Sequence, residues 1–207
     1  MENFQDISMW SYILSAFIGI GLATASGFRV FMPLFAVSLA SYMQWIDMPT
    51  NFEWLSGLPT LITTGIAMIV EIAAYYIPVV DNILDSFNVP LAAIAGTILF
   101  ASQYTGLEAF PQWALALIAG GGTAATISSG FAGTRAASTA TTGGIGNSVV
   151  ATTETAGAGL LSIGAFIFPI IAGIAGIILV IVVIILGRKL WNKFKTYNAG
   201  DIESPMT

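Results

Sequence analysis

Long apolar stretches separated by short polar ones dominate this chain. The first runs from Trp10 to Met43, about 50 Å as a helix at ~1.5 Å per residue, against the ~30 Å of a hydrocarbon core. Its middle, Gly19 to Arg29, is rich in Gly, Ala, Ser and Thr and ends in a charge, and Pro33 follows. The pattern therefore predicts two helical pieces meeting at a break near Ser26–Arg29. A polar and aromatic loop follows from Gln44 to Gly57, with Trp45 and Trp54 placed as in an interfacial aromatic belt. A second span is expected over Leu58–Ile77, ended by Pro78, with Val79–Val89 as a connection. A third, shorter run covers Pro90–Tyr104, and a fourth starts at Gln112 and continues to Ser129.

The segment Thr123–Thr155 holds 13 Ser/Thr, 7 Ala and 5 Gly, with Arg135 and Glu154 as its only charges. Composition alone allows an exposed Ser/Thr-rich loop. Small residues also let helices approach closely in lipid, so a buried helix pair or re-entrant hairpin is the preferred reading. The last apolar run, Ala156–Gly187, carries no charge. It would be about 48 Å long at ~1.5 Å per residue, a span overshooting one crossing and kinked at Pro169 and its glycines.

Composition fixes the class. Of 207 residues, 56% are hydrophobic and 8% charged, and the mean hydropathy is +0.86. Too few polar side chains exist to cover a water-soluble globule. The expected fold is all-α, a polytopic transmembrane helix bundle of five crossings, within a range of four to six, with broken or re-entrant helices near Gly27 and Gly130. Residues 1–187 form one transmembrane domain, and 188–207 a tail that is basic and then disordered. Cys and His are absent, which removes disulfides, thiolate nucleophiles, Cys/His metal sites and His-based triads. A net charge of −5 argues against nucleic-acid binding. Met1–Met9 carries Glu2 and Asp6 without a basic residue, so no cleavable signal is read there. Arg188, Lys189, Lys193 and Lys195 are four of the six cations. They place the C-terminus in the cytoplasm by the positive-inside rule, with the chain as a multi-pass protein of the inner (plasma) membrane. The acidic N-terminus would then lie outside.

Charges inside apolar segments carry the candidate chemistry. Arg29, Glu71, Arg135 and Glu154 lie within such segments, and a charge at bilayer depth is normally paired or faces a cavity. Two cations and two carboxylates can neutralise one another and merely fix packing, or they can form a central polar site. Asp81 and Asp85 are spaced i, i+4 and would share a helix face. Oxygen ligands at that spacing suit a hard cation such as Mg²⁺ or Ca²⁺, provided Asn82, Asn88 or Glu71 contributes; an acidic interfacial cluster is the plainer use. Ser26-Gly27-Phe28 before Arg29 and Ser129-Gly130-Phe131 before Arg135 form a faint repeat, suggesting halves over 10–104 and 111–187. Paired broken helices point to a transporter's binding site. Backbone amides at a new helix N-terminus beside an Arg suit carboxylate or phosphate.

Three blocks carry a resemblance: Gly21–Ser41, then Glu71…Pro78-x-x-Asp81-x-x-x-Asp85, then Arg135-Ala-Ala-Ser138…Gly143-Gly144…Asn147…Glu154. In order and spacing they resemble a bacterial integral membrane family, domain-of-unknown-function family 4126, over about Ala16 to Gly159. The resemblance implies a membrane-embedded architecture and singles out Ser26, Gly27, Arg29, Glu71, Arg135, Ser138, Asn147 and Glu154, but no substrate. Where the family shows Ala-Asp-Lys after the helical Glu, this chain has Ala74-Tyr75-Tyr76, and a His expected before Arg135 is missing.

The leading expectation is a small transporter or lipid-handling protein, not an enzyme, with a central Arg/carboxylate site for an anionic carboxylate or phosphate substrate. Membrane lipids, a small anion, a lipid phosphate or a coupling cation are its expected partners. No cofactor is implied. The chain is short for a two-repeat carrier, so a homodimer would complete it. A channel lined by the Ser/Thr/Gly segment and a structural membrane subunit are the alternatives.

Overall fold

The computed structural model describes residues 9–77, 80–104 and 107–200; the side chains of Asn82 and of residues 193–200 are excepted. Among the described residues all regular structure is helical: α1 Met9–Phe28, α2 Phe31–Tyr42, a 3-10 helix Thr50–Ser56, α3 Leu58–Ala74, α4 Val80–Ala101 and α5 Ala109–Leu115. A π-helical segment Ala116–Gly121 then leads into α6 Gly122–Thr142, followed by α7 Asn147–Ile167 and α8 Pro169–Gly200. Five of these helical stretches are long and apolar enough to cross a membrane, and the bent pair of the 3-10 helix with α3 would make a sixth. The protein is a multi-pass helix bundle.

α1 is the central helix. Its residues Gly21 to Phe28 are all buried, and α4, α6, α7 and α8 pack around it. Gly, Ala, Ser and Thr make that possible, since without bulky side chains neighbouring backbones come close. Contacts fix the directions. Tyr12 stacks on Tyr104 with ring centroids 6.4 Å apart, Gly19 lies against Phe100 and Ser26 Oγ donates to the Ala92 carbonyl at 3.3 Å, so α4 runs antiparallel to α1. Gly21 meets Ala165 while Gly157 meets Phe28, which makes α7 antiparallel too. Gly21 also meets Ala172, and Thr24 meets Gly176, so α8 runs parallel to α1.

Three expectations need correction. The last apolar run is no single kinked span: Ala165 and Ala172, on either side of Phe168, both meet Gly21, so the chain reverses there. Pro169 opens α8, a position where its missing N–H is no loss. α6 passes straight through Gly130 without a break. There glycine serves close packing against Val183, while Thr126, Thr134 and Thr142 donate their hydroxyls to carbonyls four residues back and so satisfy themselves within the helix. Most of the supposed connection Val79–Val89 is helix, since α4 begins at Val80 with Asp81 in its first turn and Pro90 inside. Pro78 and Val79 lie outside the described residues. α8 continues through the basic residues to Gly200; the disordered end expected for the tail falls on residues 201–207, which lie outside the described residues.

The break near Gly27 is present, and it is a reversal. α1 ends at Phe28 and α2 begins at Phe31. The segment after α2 returns to the end of the bundle where α1 started: Phe52 packs on Trp113 at 5.8 Å, and Met48 to Asn51 line a cleft with Tyr104. α1 and α2 thus form a re-entrant hairpin whose tip, Arg29 and Val30, is buried. α3 runs back antiparallel to α2, as Ser38 Oγ donates to the Leu55 carbonyl at 2.6 Å and Glu71 meets Val30. Large apolar side chains such as Ile66, Ile94, Ile181 and Ile185 remain exposed around the outside; that is the face offered to lipid.

Candidate functional site

The reversal at Arg29 creates a helix N-terminus inside the bundle. Such an end leaves backbone N–H groups without acceptors, and its own cap position is Val30, which has no side-chain acceptor. Glu71 of α3 supplies one. Its Oε1 accepts from Val30 N at 2.8 Å and its Oε2 from Phe31 N at 3.0 Å. The residue expected as an arginine's partner therefore caps α2. A carboxylate at a helix N-terminus also meets the positive end of the helix dipole. Glu71→Gln keeps the shape but leaves one amide facing an NH₂ group. It should lower unfolding stability in detergent by about 2 kcal/mol, as expected for a hydrogen bond to a buried charge; unchanged stability would mean the cap contributes nothing.

The two arginines converge on Glu154. Arg29 reaches across from the hairpin tip, with Nη2 3.3 Å from Glu154 Oε2. The same Nη2 donates to the Ala151 carbonyl at 2.9 Å, and Nε to Thr155 Oγ1 at 3.2 Å. Arg135 of α6 pairs with the same Glu154 oxygen through Nη2 and with Asp85 of α4 through Nη1. Arg29 and Glu154 are fully buried and Arg135 is 2% exposed. Arg135 precedes the last residue of α6, Thr142, by two turns, about 10 Å of depth at ~1.5 Å per residue. Tyr75, just beyond α3, lies against both cations, its ring centroid 3.9 Å from the Arg29 guanidinium carbon and 4.2 Å from that of Arg135. Cation–π attraction is strongest where water is excluded. Two guanidiniums against Glu154 and Asp85 leave this cluster formally neutral, the condition under which buried charges are tolerated.

The pairing is incomplete in a definite way. Arg29 Nη1, Arg135 Nε and Glu154 Oε1 are buried with no hydrogen-bond partner among the described residues. Two fork-shaped donors meet through one oxygen, so each retains unused donor capacity.

The remaining expected site residues serve the frame. Asn147 opens α7 and donates to Asp81 Oδ2 and to Thr139 Oγ1, both at 3.0 Å, tying together the ends of α4, α6 and α7. Ser138 is half-buried, its Oγ beside Gly146 in the α6–α7 turn and not among the cations. Ser26 bonds α4, and Gly27 presses against Ile127 and the Ala124 carbonyl of α6; both are packing positions. Asp81 and Asp85 are engaged by different partners, Asp85 by Arg135 and Asp81 by Asn147. Among the described residues no three acidic, His or Cys side chains stand close enough to hold a metal. Sequence reasoning missed Asp85 as an arginine partner and Tyr75 altogether. The substitution of Ala74-Tyr75-Tyr76 for the more polar family pattern was the one available signal for Tyr75.

The family model described as Domain of unknown function (DUF4126) matches residues 16–189. The chain belongs to this family. The match runs from within α1 to the start of the basic stretch in α8 and includes the hairpin tip and the arginine cluster, so every residue of the site lies inside the DUF4126 region. No curated protein and no solved structure gives a significant match to this DUF4126 chain.

Proposed function

We propose that this protein is a small membrane carrier for an anionic solute, a carboxylate or phosphate, bound between Arg29 and Arg135. One observation carries the reading: both guanidiniums meet a single oxygen of Glu154 and keep unpartnered N–H groups. Glu154 occupies the position an anion would take, and an anion with two or three oxygens would satisfy more of those donors than one carboxylate oxygen does. The hairpin tip that presents Arg29 is the broken-helix device by which transporters build sites at depth. A pore lined by the Ser/Thr segment has less support, since the Thr126, Thr134, Thr141 and Thr142 hydroxyls are exposed and bonded within their own helix.

Flux into proteoliposomes tests the reading with radiolabelled phosphate and a short dicarboxylate. Wild type should accumulate at least one of them. Arg29→Lys should slow uptake about tenfold while the protein stays folded, because an ammonium cannot reproduce the bidentate fork. Absence of flux for both anions in the wild type would leave the cluster a structural device of a membrane subunit.

We further propose that the protein lies in the inner membrane with its C-terminus in the cytoplasm, the side argued from the four cations in the last part of α8. A reporter fused after Tyr197 should be active only in its cytoplasmic form; periplasmic activity would invert the topology.

A further inference from the structure

α3 and α4 are consecutive helices, yet they make little contact with each other. Between them lies a crevice of about 160 Å³. Val70 and Ala67 of α3 and Leu91 of α4 form its walls, and Val30, Glu71 and Tyr75 lie at its inner end. Val70 and Leu91 are exposed, as are Ile66 and Ile94 beside them. In a membrane-spanning bundle such a rim faces hydrocarbon, so the crevice opens sideways into the bilayer. Its inner end is not apolar. Tyr75 lines the crevice with one part of its surface and lies against both guanidiniums with its ring. The two guanidiniums beside Tyr75 do not themselves line the crevice, and Arg29 Nη1 and Arg135 Nε are buried with no hydrogen-bond partner among the described residues. Both oxygens of Glu71 are engaged by the Val30 and Phe31 amides, so the helix end offsets part of its charge.

From this juxtaposition we infer that the crevice binds the tail of a single-chain amphiphile whose anionic head reaches the arginine pair, with Tyr75 as the side chain that must move to admit it. The occupant follows from the surroundings. Acyl chains are the medium at the mouth, the walls match a chain in polarity, and the unsatisfied guanidinium N–H donors near Tyr75 favour a carboxylate or phosphate head over a neutral one. The inference rests on the anion-binding part of the carrier reading and extends it: an anion bearing an acyl chain can also reach the arginine pair from the bilayer.

The test uses the full chain in nanodiscs with three photoactivatable probes carrying a diazirine near the end of one acyl chain. They are a fatty acid, a monoacyl glycerol phosphate and the corresponding fatty alcohol. Crosslinks are mapped by mass spectrometry. At least one anionic probe should label the segments 67–75 and 84–91 about tenfold more than the alcohol does, a difference of ~1.4 kcal/mol in binding. Labelling by the fatty acid alone assigns a free carboxylate, and labelling by the phosphate alone assigns a lipid phosphate. Ala67→Phe, which fills the crevice from α3, and Leu91→Trp, which fills it from α4, should each remove the preference while the protein stays monodisperse. Equal labelling by the alcohol, or full anionic labelling in a folded filled variant, would overturn the proposal. The two readings fail separately. Wild-type flux of short anions without this labelling leaves the carrier and removes the tail site, whereas selective labelling without any flux does the reverse.

Discussion

Glu154→Gln should destabilise the bundle by about 3–5 kcal/mol, the cost of leaving buried charge uncompensated by removing one partner. The amide keeps the shape of the side chain but leaves Arg29 without its carboxylate and Arg135 with Asp85 alone. Neither guanidinium can shed its proton to escape, and both lie within reach of one Tyr75 ring, so their mutual repulsion adds to the loss. Thermal unfolding in detergent, followed by circular dichroism, reads the effect. The double change Arg29→Gln with Glu154→Gln removes one charge of each sign and preserves the Arg135–Asp85 pair. It should recover more than half of the lost stability, a coupling that only groups in contact display. If the single variant melts with the wild type, the network does not hold the fold together.

Gly120→Leu should prevent the protein from being recovered as a folded species. At that crossing the π-helical segment lies on α4 backbone to backbone. A Cβ on Gly120 would stand 2.5 Å from the Gly96 carbonyl oxygen and 2.5 Å from Phe100 Cβ, and one on Gly96 would stand 2.6 Å from Ala124 Cβ. No flexible side chain is available to move aside, so even Gly120→Ala should cost about 1–3 kcal/mol through overpacking. Two residues on, Gly122 has nothing within 4 Å. Gly122→Leu places the same bulk on the same stretch of helix and should be tolerated. Size-exclusion profiles of the two leucine variants decide the matter: if both are monodisperse, the crossing is not as close as described.

Much of this was legible from residue types. The run Ala25-Ser26-Gly27-Phe28-Arg29 with Pro33 could not continue as a lipid-facing rod, and the chain does turn there. The arginines and Glu154 were identifiable because a charge in an apolar run has few other destinations than one another. Direction was not legible. Hydropathy records what a residue is, not which way the chain runs, so the reversal at Phe168 is invisible in an unbroken apolar sequence. Gly130 misled for a related reason. Ser, Thr and Gly weaken helices in water but pack them in lipid, and composition does not distinguish a break from a contact. The Glu71 assignment failed because a like-sized set of charges suggested mutual pairing. Val30 at the helix start, unable to accept a hydrogen bond, was the overlooked sign that a distant carboxylate would be recruited. Asp85 was read with Asp81 because i, i+4 spacing places them on one face; the face is shared, but α6 and α7 offer each a different partner.

The hairpin at Arg29 imposes an order on biosynthesis. Arg29 leaves the ribosome with the first helix, but Thr155, which accepts its Nε–H, follows 126 residues later. At ~5–20 residues per second that is a wait of roughly 6–25 s. Glu71 arrives earlier and can dock α3 on the hairpin, but it closes the helix end and leaves the guanidinium unpaired. During that interval Arg29 is better served at the headgroups or in the insertion machinery than in hydrocarbon. The hairpin then reaches its final depth only when α7 brings Glu154 alongside. A nascent chain that stops short of α7 lacks the Ala151 carbonyl, the Thr155 hydroxyl and the Glu154 carboxylate that hold the Arg29 guanidinium.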